Sequence, residues 1–96
     1  MGSVDEVLAI ATLNGRVCPQ PQQWNALWEM LPERKRLAGA WEPPAPFILA
    51  AWWEASDQAK RERLASHIRY AAENGALDAV AKYLSSLTDE QWHVAK

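Results

Sequence analysis

The chain has few of the residues from which catalytic and metal sites are built. Its 96 residues include one cysteine, two histidines and four glycines, and the glycines are scattered singly. One cysteine excludes an internal disulfide and a cysteine-based metal site, and isolated glycines exclude a phosphate-binding glycine loop. Nucleophilic or metal catalysis needs clustered functional groups, and the sequence shows no such cluster. We therefore predict a protein that is not an enzyme and that needs no metal or cofactor.

Long apolar runs are also absent, which excludes a membrane-spanning helix. The first residues, "MGSVDEVLAI", carry acidic side chains where a secretory signal would carry basic ones. Apolar residues make up 49% of the chain and charged residues 23%, a composition too hydrophobic for a disordered protein. The length fits one domain, so we predict a single cytoplasmic domain over residues 1–96.

Helical spacing of apolar residues accounts for most of the chain, and no segment alternates as a strand would. The first predicted helix covers residues 4–13, opens at a Ser3–Glu6 capping box and stops at Asn14-Gly15. The second begins at Pro21, and the third runs from Pro46 to near Ser56. The remaining predicted segments are a helical turn after Pro32, long helices over 58–74 and 77–87, and a short last helix that carries Trp92. The predicted fold is all-α, a compact irregular or orthogonal bundle of five to six short helices.

One stretch, "AAENGALDAVAKYL", resembles parts of two known families over about 20 residues. Its spacing is similar to that of helix-turn-helix proteins, but Asn74 stands at a position that is apolar in them, and the following helix lacks base-reading side chains. It also resembles the two helices of an ankyrin repeat, without the segment that precedes them and without a second repeat. We interpret both as common ways to join two helices through a glycine.

Basic residues are concentrated in the middle of the chain. Residues 34–69 contain seven Lys or Arg and four Asp or Glu, whereas the rest contains three and eight. A solvated charged face is the simplest interpretation of this pattern. The alternative is a weak nucleic-acid-binding or nucleoprotein accessory domain, in which phosphates are bound by Arg34, Lys35, Arg36, Lys60 and Arg63.

Tryptophan is the residue in excess, with six in the chain against one phenylalanine. Trp24, Trp28 and Trp52 are predicted to lie in the core, where each would bury ~150–250 Å². A small interior has limited room, and tryptophan is enriched at protein interfaces. We therefore expect a protein-binding edge and predict an interaction module that binds a protein partner or forms a homodimer. The residues predicted to form that edge are Trp41, Trp53, Pro43 and Pro44.

Overall fold

The computed structural model describes residues 3–31 and 53–95, and these residues are mostly helical. They contain four complete α-helices, two 3₁₀ turns and two short strands. In chain order the elements are α1 (Val4–Ala11), a first 3₁₀ turn (Leu13–Gly15), β1 (Arg16–Pro19), α2 (Pro21–Glu29), α3 (Asp57–Glu73), α4 (Leu77–Ser86), a second 3₁₀ turn (Asp89–Gln91) and β2 (Trp92–Val94).

The helix ends follow the local signals in the sequence. Ser3 caps α1 by accepting a hydrogen bond from the backbone N–H of Glu6 at 3.2 Å. Ser56 caps α3 in the same way, with the N–H of Ala59 at 3.1 Å. The left-handed backbone at Gly75, with φ of 73°, lets the chain leave α3 and enter α4 almost at once.

A two-stranded antiparallel sheet corrects the prediction of an all-α bundle of five to six short helices, which is wrong. Arg16 pairs with Val94, Cys18 with His93 and Pro19 with Trp92, and a bulge lies between Arg16 and Cys18. The segment between the first two predicted helices contains β1. The predicted last helix shrinks to the 3₁₀ turn with its Thr88–Gln91 capping box, and the chain from Trp92 to Val94 is extended.

The physical reason is that aromatic and β-branched residues favour extended backbone when a partner strand is within reach. Trp92 and Val94 are of this kind, and they lie opposite Pro19 and Arg16 of β1. Hydrogen bonds continue the pairing past both ends of the strands, from the N–H of Gln20 to the carbonyl of Gln91 and from the N–H of Ala95 to the carbonyl of Gly15. The last residues of the described chain are therefore tied to the first third of the sequence.

The core lies where α3 packs against α1, α4 and β1. Trp24 has no exposed surface, as predicted, and Trp92 is 2% exposed. Trp28 is only partly buried, and Trp52 lies outside the described residues. The other large buried side chains come from all four helices and from β1, and include Leu27, Leu64, Ile68, Leu84, Val17 and Val80. Two indoles thus fill the centre of the described part of the protein.

Candidate functional site

Trp53 is the most exposed large apolar side chain in residues 3–31 and 53–95, with 71% of its surface accessible. It is helical, together with Glu54, and the chain bends at Ala55 before α3 begins. Tryptophan is usually largely buried, so an indole in water marks a surface that is available for contact.

A groove of about 690 Å³ lies beside Trp53. The start of α2 and the second 3₁₀ turn also contribute to its lining, so separate parts of the sequence meet there. The lining residues in the described part of the chain are Gln20, Pro21, Gln22, Gln23, Trp53, Glu90 and Gln91.

Hydrogen bonds of Gln20 hold two of these parts together. Its backbone N–H donates to the carbonyl of Gln91 at 2.8 Å, and its side-chain Nε2 donates to the carbonyl of Trp92 at 3.0 Å. The side-chain oxygen Oε1 of Gln91 in turn accepts a hydrogen bond from the backbone N–H of Thr88 at 2.8 Å. The wall formed by α2 and the 3₁₀ turn is therefore fixed before any partner arrives.

An ion pair supports the same turn from outside the groove. The guanidinium of Arg16 donates to Asp89 Oδ1 at 2.6 Å and lies over the ring of Trp92, 5.1 Å from its centroid. A planar guanidinium can serve a carboxylate and an aromatic face at once. Arg16 thus anchors Asp89, the residue next to Glu90, and Glu90 is the one ionisable residue among the described residues that line the groove.

A second polar cluster joins α3 to β2. His93 Nε2 lies 2.9 Å from Asp57 Oδ1 and 3.3 Å from Lys60 Nζ. One protonation state cannot make both hydrogen bonds, because the carboxylate needs a proton on Nε2 and the ammonium needs the lone pair. Lys60 is only 5% exposed, so its side chain packs into this cluster and is not part of an exposed basic face.

Cys18 lies on β1 with no exposed surface. Burial raises the pKa of its thiol well above 9.0, and the nearby charges of Lys60 and Arg63 act in the opposite direction with less effect. A thiol with a raised pKa carries little thiolate at neutral pH and is a poor nucleophile. The residue acts here as a small apolar side chain of the core.

His67 is buried between α2 and α3. Its ring centroid lies 5.2 Å from that of Trp24, with the two planes tilted by 57°. Burial lowers the pKa of His67 from 6.5 to about 4, and a hydrogen bond with the backbone of Leu27 acts the other way. The imidazole is therefore neutral at pH 7 and packs as an aromatic core residue.

The predicted site residues fall into three groups. Trp41, Pro43 and Pro44 of the predicted protein-binding edge, and Arg34, Lys35 and Arg36 of the predicted anion site, lie outside the described residues. Trp53 is exposed and lines the groove. Lys60 is buried against His93, and Arg63 is partly buried.

The glutamines and Glu90 were missed by the sequence reasoning, as was the contact of His93 with Asp57. No spacing rule connects residues 20–23 with residues 90–91, since the fold alone brings them together. The capping box of Thr88 and Gln91 was a usable signal, because it fixes the position of the turn that forms one wall.

In the described ranges, no three or more His, Cys, Asp or Glu residues are grouped so that they could hold a metal ion. None of the helices described is both long and apolar enough to cross a membrane. Comparison of the chain with protein-family models, with curated proteins and with solved structures gave no match.

Proposed function

We propose that this protein is a non-enzymatic, cytoplasmic interaction module and that a segment of a protein partner binds in the groove beside Trp53. The observation that carries the proposal is the pairing of a 71% exposed indole with a preformed groove of about 690 Å³. Tryptophan is among the residues that contribute most binding energy at protein interfaces.

The dimensions of the groove suit a few side chains of a polypeptide. Binding clefts for compact ligands span roughly 300–1,000 Å³, and the groove falls in this range. Covering most of an exposed indole would remove on the order of 100–150 Å² of apolar surface from water, worth about 3 kcal/mol at ~25 cal/mol per Å². A gain of that size makes Trp53 the expected anchor of the interface.

The polar lining favours a peptide over a purely apolar ligand. Side-chain amides carry both donors and acceptors, which match the N–H and C=O groups of an extended backbone. Gln20 and Gln91 are already engaged in holding the wall, as described above. Gln22 is exposed at the start of α2, where it is well placed to contact a bound segment.

The alternative of nucleic-acid binding remains a prediction. Three of its five residues, Arg34, Lys35 and Arg36, lie outside the described part of the chain. Lys60 lies inside the fold and contacts His93, so it is not presented to a phosphate. No observation on the described residues favours this alternative over the groove.

Affinity capture tests the proposed function. The tagged protein is incubated with nuclease-treated lysate of its native host, in parallel with Trp53→Ala and with Leu13→Ala. Leu13 is also exposed, at 59%, but does not line the groove, so its variant is a matched control. We expect a protein that the wild type and Leu13→Ala retain and Trp53→Ala loses. Identical retention by all three proteins would contradict the proposal.

A crosslinking variant locates the contact. A photoreactive phenylalanine analogue in place of Gln22 should crosslink to the captured protein, and the same analogue at exposed Glu73 should not. Circular dichroism of each variant establishes that the fold is intact. Crosslinks from Glu73 alone would place the contact on another surface and rule out the groove.

A further inference from the structure

We propose that the bound segment presents a lysine or arginine side chain, which is held between the indole of Trp53 and the carboxylate of Glu90. This inference rests on the proposed function and names the chemistry of the partner. It follows from the charge of the groove, from the physics of the indole face and from a contact that the protein already makes next to Glu90.

The charge of the groove selects for a cation. Among residues 3–31 and 53–95, seven line the groove; six of them are neutral and Glu90 is charged. Glu54, which follows Trp53, is also exposed and adds a second negative charge close to the indole in sequence. An acidic segment would bring like charges together at Glu90, whereas a basic side chain would be attracted to it.

An exposed tryptophan strengthens the same preference. The negative face of the indole attracts an ammonium or guanidinium more strongly than the rings of tyrosine or phenylalanine do. A carboxylate on the other side of the cation can accept its hydrogen bonds, because guanidinium and ammonium groups have several N–H donors and no acceptor. Trp53 and Glu90 supply these two kinds of contact from different parts of the chain.

The protein uses this combination internally, one residue away. Arg16 lies over the ring of Trp92 at 5.1 Å and is paired with Asp89 at 2.6 Å. The internal site therefore consists of an indole, a carboxylate and a guanidinium. Trp53 and Glu90 line the groove with the first two of these groups, and none of the described lining residues supplies the third. The partner is expected to supply it.

Peptide pools test the inference directly. The probes are four pools of nine-residue peptides with blocked ends, degenerate at eight positions and fixed at the centre as Arg, Lys, Gln or Glu. Binding of each pool is measured on the immobilised full chain and on Trp53→Ala, Glu90→Gln and Glu73→Gln. Glu73 is exposed at the end of α3, outside the groove lining, and its variant controls for the loss of one surface charge.

We expect the Arg and Lys pools to bind more strongly than the Gln and Glu pools. In Glu90→Gln, the ratio of Arg-pool binding to Gln-pool binding should fall by roughly two- to fivefold, the size typical of an exposed ionic or cation–π contact. Trp53→Ala should abolish binding of all four pools, and Glu73→Gln should leave it unchanged. Added salt should reduce the Arg preference and leave the contribution of Trp53 intact.

Two results would overturn the inference, and they differ in what they say about the proposed function. Binding that depends on Trp53 but is equal for the Arg, Gln and Glu pools would rule out a basic partner and leave the interaction groove in place. Binding of no pool, or binding that Trp53→Ala leaves unchanged, would contradict both the basic partner and the groove.

Discussion

His93 Nε2 lies 2.9 Å from Asp57 Oδ1, and this contact joins the last strand to the first turn of α3 across 36 residues of sequence. His93 is mostly shielded, with 17% of its side chain exposed, while Asp57 is 39% exposed. Because Trp92 and Gln91 precede His93 directly, the contact also fixes the turn that forms one wall of the groove. The groove and the cluster of Asp57, Lys60 and His93 are thus joined through β2.

A double-mutant cycle should measure this contact. We expect Asp57→Ala and His93→Ala to be coupled by about 0.5–1 kcal/mol in the free energy of unfolding, the size typical of a partly exposed polar pair. Asp57 also stabilises α3 through the helix dipole, and the cycle removes that separate effect. Urea unfolding of the two single variants and the double variant supplies the numbers.

Asp78 provides the control for the cycle. It is exposed near the start of α4, where it also contributes to a helix N-terminus. The pair Asp78→Ala and His93→Ala should show no coupling. Equal coupling in both cycles would mean that the Asp57 contact contributes nothing specific.

Gln20 should be the most sensitive glutamine of the groove. Its Nε2 donates to the carbonyl of Trp92, and Gln20→Ala would leave that partly buried acceptor without this donor. We expect a loss of about 1–2 kcal/mol in the free energy of unfolding, together with weaker binding of any partner that depends on Trp53. Urea unfolding and the capture assay check the two effects.

Gln22→Ala is the matched control, because Gln22 lines the same groove but is exposed. It should change stability by less than about 0.5 kcal/mol. If Gln20→Ala and Gln22→Ala were equally stable, the bond to Trp92 would not support the wall.

The sequence predicts the helices much better than the sheet, because helix signals are local. Ser3 and Ser56 cap their helices within three residues, and Gly75 ends α3 with a backbone conformation that glycine favours. The strands have only three and four residues, too few to show alternation, and β1 ends in a proline. Their pairing depends on a partner more than 70 residues away.

The same distinction applies to the candidate site. The exposure of Trp53 could be anticipated because six tryptophans are many for the interior of a small domain. Lys60 was expected on a solvated face, since the first turns of α3 are rich in charge. It is buried because β2 brings His93 against that part of α3, and the extended backbone of β2 was not predicted. The meeting of Gln20, Gln22 and Gln23 with Gln91 in the groove could not be predicted either, because it also depends on the pairing of the two strands.

Acid should destabilise the protein through His67. The unfolded chain binds a proton at this residue below pH 6.5, whereas the folded protein does so only near pH 4. The unfolded state therefore holds more protons between these values, and stability falls as the pH falls through this window. The contribution of His67 amounts to a loss of about 2 kcal/mol between pH 7.5 and pH 5. Urea unfolding across this range measures it.

His67→Gln should be less stable at pH 7.5 but should lose much less stability on acidification, because its side chain does not titrate. His93→Gln leaves His67 in place, so the contribution of His67 to the pH dependence should remain. An identical slope for the parent protein and His67→Gln would show that His67 takes up its proton in the folded state as readily as in the unfolded one. The buried contact with Trp24 would then have to admit a charged imidazole, contrary to its position in the core.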